Sequence, residues 1–261
     1  MKPLVIHPKD RSTDFLKPIY HGRNDTTVIT GGCTKEDVND AIDKHDHIIM
    51  LGHGTPQGLL AMGNFDKKKP PYTPKPSTVV KGLAGNLPVE KEHIKSFYTP
   101  SQIKDDEDDW FDNRKVGGNF GGYQGTYQSL TTGYIIDEST ADHLRGKKLT
   151  TIWCNADQYI EWNDLGGFYT GMFISEEGEA KMIGTADTEK WQVEESNYAF
   201  VSVVRRFLDH DAERLHNALN LEYGEMADRN AIAKYNLHRF YTRKAEQAEL
   251  FRSSPGSYTT V

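Results

Sequence analysis

Three short runs set the frame of this chain: the apolar PLVIHP (3–8), the β-branched TTVITGG (26–32), which ends in paired glycines, and the apolar DHIIML (46–51). A strand with one face in water alternates apolar and polar residues, so an unbroken run marks a strand covered on both faces. Between the first two runs lies STDFLKPIY (12–20), which opens on a Ser/Thr cap and reads as one or two helical turns interrupted near Pro18. Between the second and third lies TKEDVNDAIDKH (34–45), where Thr34 and Asp37 form a variant of the capping box and Val38, Ala41 and Ile42 fall on one helical face. The order is βαβαβ, with connections of the length that parallel strands require. It predicts an α/β fold: a three-layer sandwich around a mostly parallel sheet.

The rhythm then breaks. From about Asn64 to Thr126 the chain carries DKKKPPYTPKPS, the acidic run DDEDDW (105–110) and the glycine-rich GGNFGGYQG (117–125). None of these continues a βα alternation. GNF occurs at 63–65 and again at 118–120, so removing 66–120 would rejoin LLAMGNF to GGYQGTYQSLTTGYIID. Residues 64–126 are therefore expected to be an insertion within a single domain spanning 1–261.

Beyond it the pattern resumes. GYIID (133–137) predicts a strand, ESTADHLRG (138–146) a helix with a glycine stop, and KLTTIW (148–153) a strand that ends at Cys154. DLGGFYTGMFISEEGEA (164–180) is expected to be a helix with internal glycines and KMIGT (181–185) another strand. The rest reads as helix over 194–208, 212–227 and 230–251, so that 209–251 forms a helical C-terminal extension before a frayed tail.

Composition narrows the function classes. A net charge of −7 argues against nucleic acid as a partner. No apolar run approaches the roughly 18 residues of a membrane span, and the start has no signal-peptide pattern, so no membrane association and a cytoplasmic location are expected. Two cysteines, Cys33 and Cys154, make neither a disulfide framework nor a CxxC zinc pattern. His45 and His47 precede the strand that His53 follows, about 20 Å away at strand rise, too far for one metal site. The segment GGNFGGYQG lacks the lysine and the strand–helix setting of a phosphate loop. No cofactor and no metal are expected.

The chemistry concentrates at two strand ends. In an open parallel sheet, ligands and catalytic groups gather beyond the carboxyl ends of the strands. His53, between Gly52 and Gly54, and Cys154 each follow an apolar strand and should emerge on that edge. Thiolate is the reactive form of cysteine, and a nearby imidazole can take the proton it loses. The amides of Gly54 and Cys154 are candidates to stabilise a developing oxyanion. Cys33 also follows a strand and is a competing thiol.

An apolar strand ending in His53-Gly54, then a second ending in Cys154, resembles the caspase–legumain–clostripain superfamily of cysteine peptidases. The resemblance covers roughly residues 1–63 and 127–208 and extends to small uncharacterised bacterial proteins of this type. It implies a caspase-like, flavodoxin-like sheet and hydrolysis of a peptide or protein substrate. His53 would be the general base or acid, Cys154 the nucleophile and Gly54 an oxyanion donor. Two departures stand out. Trp153 precedes the cysteine where the family commonly has a small residue, which would crowd the site. Asn155-Ala156-Asp157 replaces the caspase-type continuation. Members that cut after Arg or Lys place an acidic residue in the specificity pocket, which makes Asp157 a candidate, with a helix cap for QYIEW as its alternative. The insertion is expected to take a regulatory ligand or partner beside the site. Two other classes stay open: a non-catalytic caspase-like domain that binds a small ligand or protein, and a small-molecule hydrolase or transferase on the same sheet.

Overall fold

The computed structural model describes residues 2–8, 11–31, 33, 35–62, 131–182 and 188–244. The expected insertion at 64–126, the Thr34 cap and the tail lie outside them.

Six strands form the main sheet: β1 (Leu4–Ile6), β2 (Thr27–Ile29), β3 (His47–Leu51), β7 (Lys148–Ile152), β8 (Gly167–Thr170) and β9 (Phe240–Arg243), in the order β2-β1-β3-β7-β8-β9. All neighbours are parallel except β9, which runs antiparallel to β8. The α/β fold with a mostly parallel sheet is therefore as expected.

The unbroken apolar runs have a direct cause. Val5, Ile49, Leu51, Ile152 and Phe168 face one side, under a 3-10 helix (Arg11–Ile19) and two long helices, which we number α5 (Lys190–Phe207) and α6 (Ala212–Met226). Leu4, Ile6, Ile48, Met50 and Leu149 face the other side, against α1 (Lys35–Asp43), α2 (Ala141–Leu144) and α3 (Ala156–Trp162). Alternate residues of one strand thus enter two different cores, and both must be apolar. The first core is centred on aromatic rings: Phe200 lies 4.7 Å from Phe173 and 5.7 Å from Phe240, and Tyr223 lies 4.8 Å from Phe240. Each such ring contributes roughly 1.5–3 kcal/mol on burial.

A second, three-stranded antiparallel sheet joins β4 (Gly54–Thr55), β5 (Gly58–Met62) and β6 (Thr131–Ile136). Met62 pairs with Thr131 across β5 and β6, so the chain leaves and re-enters the described fold at adjacent points. The GYIID strand consequently belongs to this small sheet and not to the parallel one.

Three expectations are overturned. Residues 164–180 are not one helix: Phe168–Thr170 lie in β8, and helix α4 (Glu177–Met182) starts only later. Gly167 explains the switch, because at φ +113° a Cβ there would lie 2.4 Å from the carbonyl oxygen of Leu149. Lys181 and Met182 end α4 and do not open a strand, while 183–187 lie outside the described residues. The expected helix over 230–251 stops after α7 (Ala231–Asn236) and one 3-10 turn (Leu237–Arg239), and Phe240–Arg243 then closes the main sheet as β9. What was expected as helical extension therefore supplies an edge strand.

Candidate active site

The register of β3 and β7 places the two candidate residues. Leu51 pairs with Ile152, and the ladder carries one step further, with Gly52 N–H donating to the Ile152 carbonyl at 3.1 Å. His53 and Cys154 each stand two residues beyond that last pair, on adjacent parallel strands and on one rim. Leu51 and Ile152 face the α5/α6 side, and strand alternation turns residues 53 and 154 the same way.

Each glycine around His53 has a reason. Gly52 has φ +145°, a conformation few side chains adopt. Gly54 has no room: a Cβ there would lie 2.1 Å from Cδ1 of Trp153. Trp153 belongs to the α1/α3 side, where its indole N–H donates to the Thr55 carbonyl at 3.2 Å and its ring sits 5.4 Å from Tyr159. The expected crowding by Trp153 therefore falls on Gly54, against which its indole packs, while strand alternation turns the ring to the face opposite the thiol.

His53 is buried, 8% exposed, and its Nε2 lies 2.5 Å from Ser12 Oγ in the 3-10 helix that follows β1. Cys154 is 9% exposed, and its thiol donates weakly to the Phe173 carbonyl at 3.9 Å. Burial pushes this thiol well above its ordinary range, and the nearby charge of Glu179 adds to the effect. At neutral pH it is a thiol and not a thiolate. Cys33, the competing thiol, is half-buried and pushed up to about 11, chiefly by burial.

The segment that meets the Cys154 thiol at the Phe173 carbonyl runs from Gly171 to Glu176 and is held from several sides. Gly171 N–H donates to the Arg239 carbonyl at 2.9 Å. Asn236 accepts from Ile174 N–H and donates to the Ile174 carbonyl, both at 2.9 Å. Glu179 Oε2 accepts from Ser175 N–H at 2.7 Å, Glu176 N–H at 3.1 Å and Ser175 Oγ at 3.2 Å. Burial raises the Glu179 carboxyl, and the bond from Ser175 N–H offsets part of that rise.

Gly54 opens β4 opposite Leu59. Because Leu60 N–H donates to the His53 carbonyl at 2.9 Å, the 54/59 pair is of the non-hydrogen-bonded kind, and the Gly54 amide points away from β5. Asp157 lies in the first turn of α3, half-buried, with Oδ1 buried and lacking a hydrogen-bond partner. Burial raises its carboxyl, and Arg239 is among the charges that lower it. The helix-cap alternative is corrected: the N-cap is Asn155, in the left-handed region at φ +65°.

Ser12, Glu179 and Asn236 were not singled out from the sequence as site residues. Ser12 read as a cap, Glu179 as part of the expected helix over 164–180, and Asn236 as a position inside a long helix. Among the described residues, no group of three or more His, Cys, Asp or Glu is placed to hold a metal ion. His45 bonds to the Ala41 carbonyl and Thr27, and His47 to Thr150. No described helix is long and apolar enough to cross a membrane. No family model, curated protein or solved structure matches the chain.

Proposed function

We propose that this protein is a caspase-like cysteine peptidase acting through Cys154 and His53. The supporting observation is the β3–β7 register, which sets the two residues side by side past the ends of adjacent parallel strands and on one face. That placement needs no sequence proximity, and it matches the two-strand arrangement on which the family resemblance rests.

The chemistry follows from the groups present. His53 takes the Cys154 proton as sulfur attacks the scissile carbonyl, because the buried thiol does not ionise beforehand. The Gly54 N–H is aimed away from its hairpin partner and is the donor for the resulting oxyanion. The imidazolium then protonates the departing amine, leaving an acyl-thioester at Cys154. His53 next takes a proton from water as it attacks that ester; the C–S bond breaks, the imidazolium returns its proton to the Cys154 sulfur, and the acid is released. Asp157, with a buried carboxylate oxygen lacking a partner, is the candidate receptor for an Arg or Lys side chain before the cut. Hydrolysis of a fluorogenic peptide panel tests this reading. Cleavage after Arg or Lys should vanish in Cys154→Ala and His53→Ala and show a raised KM in Asp157→Asn.

One observation favours a second reading, a non-catalytic domain that binds a ligand or protein at this rim. Cys154 is nearly sealed beneath Phe173 and its thiol is held protonated. Absence of hydrolysis across the panel, with Cys154→Ala behaving as the parent, would favour that reading.

A further inference from the structure

The imidazole of His53 sits in the middle of a row. In the main sheet β3 lies between β1 and β7, so the chain just beyond β1 approaches the imidazole from one side and the chain beyond β7 from the other. Ser12 comes from the first side and Cys154 from the second. On the first side Ser12 Oγ lies 2.5 Å from His53 Nε2.

We propose that Ser12 is the positioning residue of the dyad: its hydroxyl oxygen accepts a hydrogen bond from His53 Nε2–H, which keeps the proton on that nitrogen and presents the Nδ1 lone pair toward the Cys154 thiol. This rests on the peptidase reading above. The two ring nitrogens point to different sides of the imidazole, so a hydroxyl anchored at Nε2 leaves Nδ1 as the nitrogen that serves as base. When the thiol proton arrives at Nδ1, Nε2–H remains donated to Ser12 and the ring does not need to turn.

Ser12 is well placed to orient another group because its own segment is fixed. The next residue, Thr13, bonds through Oγ1 to His7 Nε2 at 3.0 Å, and Tyr20 OH bonds to His7 Nδ1 at 3.0 Å. Leu16 and Ile19 are buried in the core beneath, and Arg205 donates to the Pro18 carbonyl at 2.9 Å. Residues 11–19 form a 3-10 helix, whose tighter winding sets consecutive Ser12 and Thr13 against two different rim imidazoles. Burial holds His7 down to about 4, so it adds no competing positive charge beside a His53 imidazolium. A neutral hydroxyl at Nε2 gives orientation without the charge compensation of a carboxylate. It therefore suits a resting thiol that keeps its proton, as burial holds Cys154 here.

The test reads the tautomer directly in the full chain. Long-range proton–nitrogen NMR on histidine-labelled protein at pH 8 should show His53 with its proton on Nε2. In Ser12→Ala the signal should move toward a mixture of tautomers. Iodoacetamide alkylation of Cys154 should slow about tenfold, a fraction of the roughly 10²–10⁴-fold that a positioned base contributes. Ser12→Thr, which keeps the hydroxyl, should restore both. On peptide substrate the Ser12→Ala loss should fall on kcat with KM little changed. A parent His53 protonated on Nδ1 overturns the proposal with no variant needed. Equal alkylation in Ser12→Ala and parent, alongside a loss in His53→Ala, removes Ser12 and leaves the dyad. Equal alkylation in His53→Ala removes the dyad itself.

Discussion

The indole of Trp153 occupies the space that a side chain on residue 54 would need. A Cβ on Gly54 would lie 2.1 Å from Trp153 Cδ1 and 2.7 Å from the Gly58 carbonyl oxygen. The glycine after the histidine therefore has a packing reason as well as a proposed catalytic one, and the two separate by experiment. Gly54→Ala should destabilise the protein by about 1–3 kcal/mol in urea unfolding. Adding Trp153→Ala should recover only part of that, since the Gly58 carbonyl stays in place. A Gly54→Ala protein as stable as the parent would show that the indole does not fill this space.

Acid should weaken the fold through two buried histidines. Burial is the main cause that lowers both His7 and His47 to about 4 from an ordinary 6.5. The unfolded chain takes up these protons at a higher pH than the folded one, so stability falls as pH drops from 6.5 to 4. Each residue contributes up to about 3 kcal/mol to that fall by pH 4. Urea unfolding of His7→Gln and His47→Gln should show a shallower loss over this window than the parent. Identical slopes would mean these imidazoles do not stay neutral in the fold.

Much of this fold was legible because a central strand is covered on both faces. Ile48 and Ile49 point to opposite faces and both are buried, and such runs gave β1 and β3, while β7 sets buried Thr150 and Thr151 between Leu149 and Ile152. The same logic carried His53 and Cys154. It failed where a strand is short and set among helical signals. Phe240–Arg243 follows a run with helical periodicity, and only the buried Asn236, bonded to Ile174 and Ser196, marks the end of the helix. β8 was hidden by the glycine pair before it, because the steric demand of Leu149 on Gly167 exists only once β7 is beside it. Ser12 signalled only a helix cap, and its part comes from meeting His53, 41 positions away. Glu179 bonds locally to Ser175 and Glu176, and what the sequence does not display is its charge beside Cys154.

Asn236 should control access to the thiol. Replacing it with Ala leaves the buried Ile174 N–H and carbonyl without their side-chain partners. A cost of about 1–3 kcal/mol per unsatisfied group is expected. The 171–176 segment over Cys154 should loosen, so Asn236→Ala should both lower the urea midpoint and speed alkylation of Cys154 relative to Cys33. A drop in stability with no change in Cys154 alkylation would sever this segment from access to the site.

The proposed catalysis requires that the imidazole of His53 serve the sulfur of Cys154. The direct measurement is the alkylation rate of each cysteine, resolved by mass spectrometry, in the parent and in His53→Ala between pH 6 and 10. Cys154 in the parent should react slowly for a thiol. Its rate should fall at least tenfold further at pH 7.5 when His53 is removed, while Cys33 is unchanged. The same Cys154 profile in both proteins across the whole range would contradict the dyad.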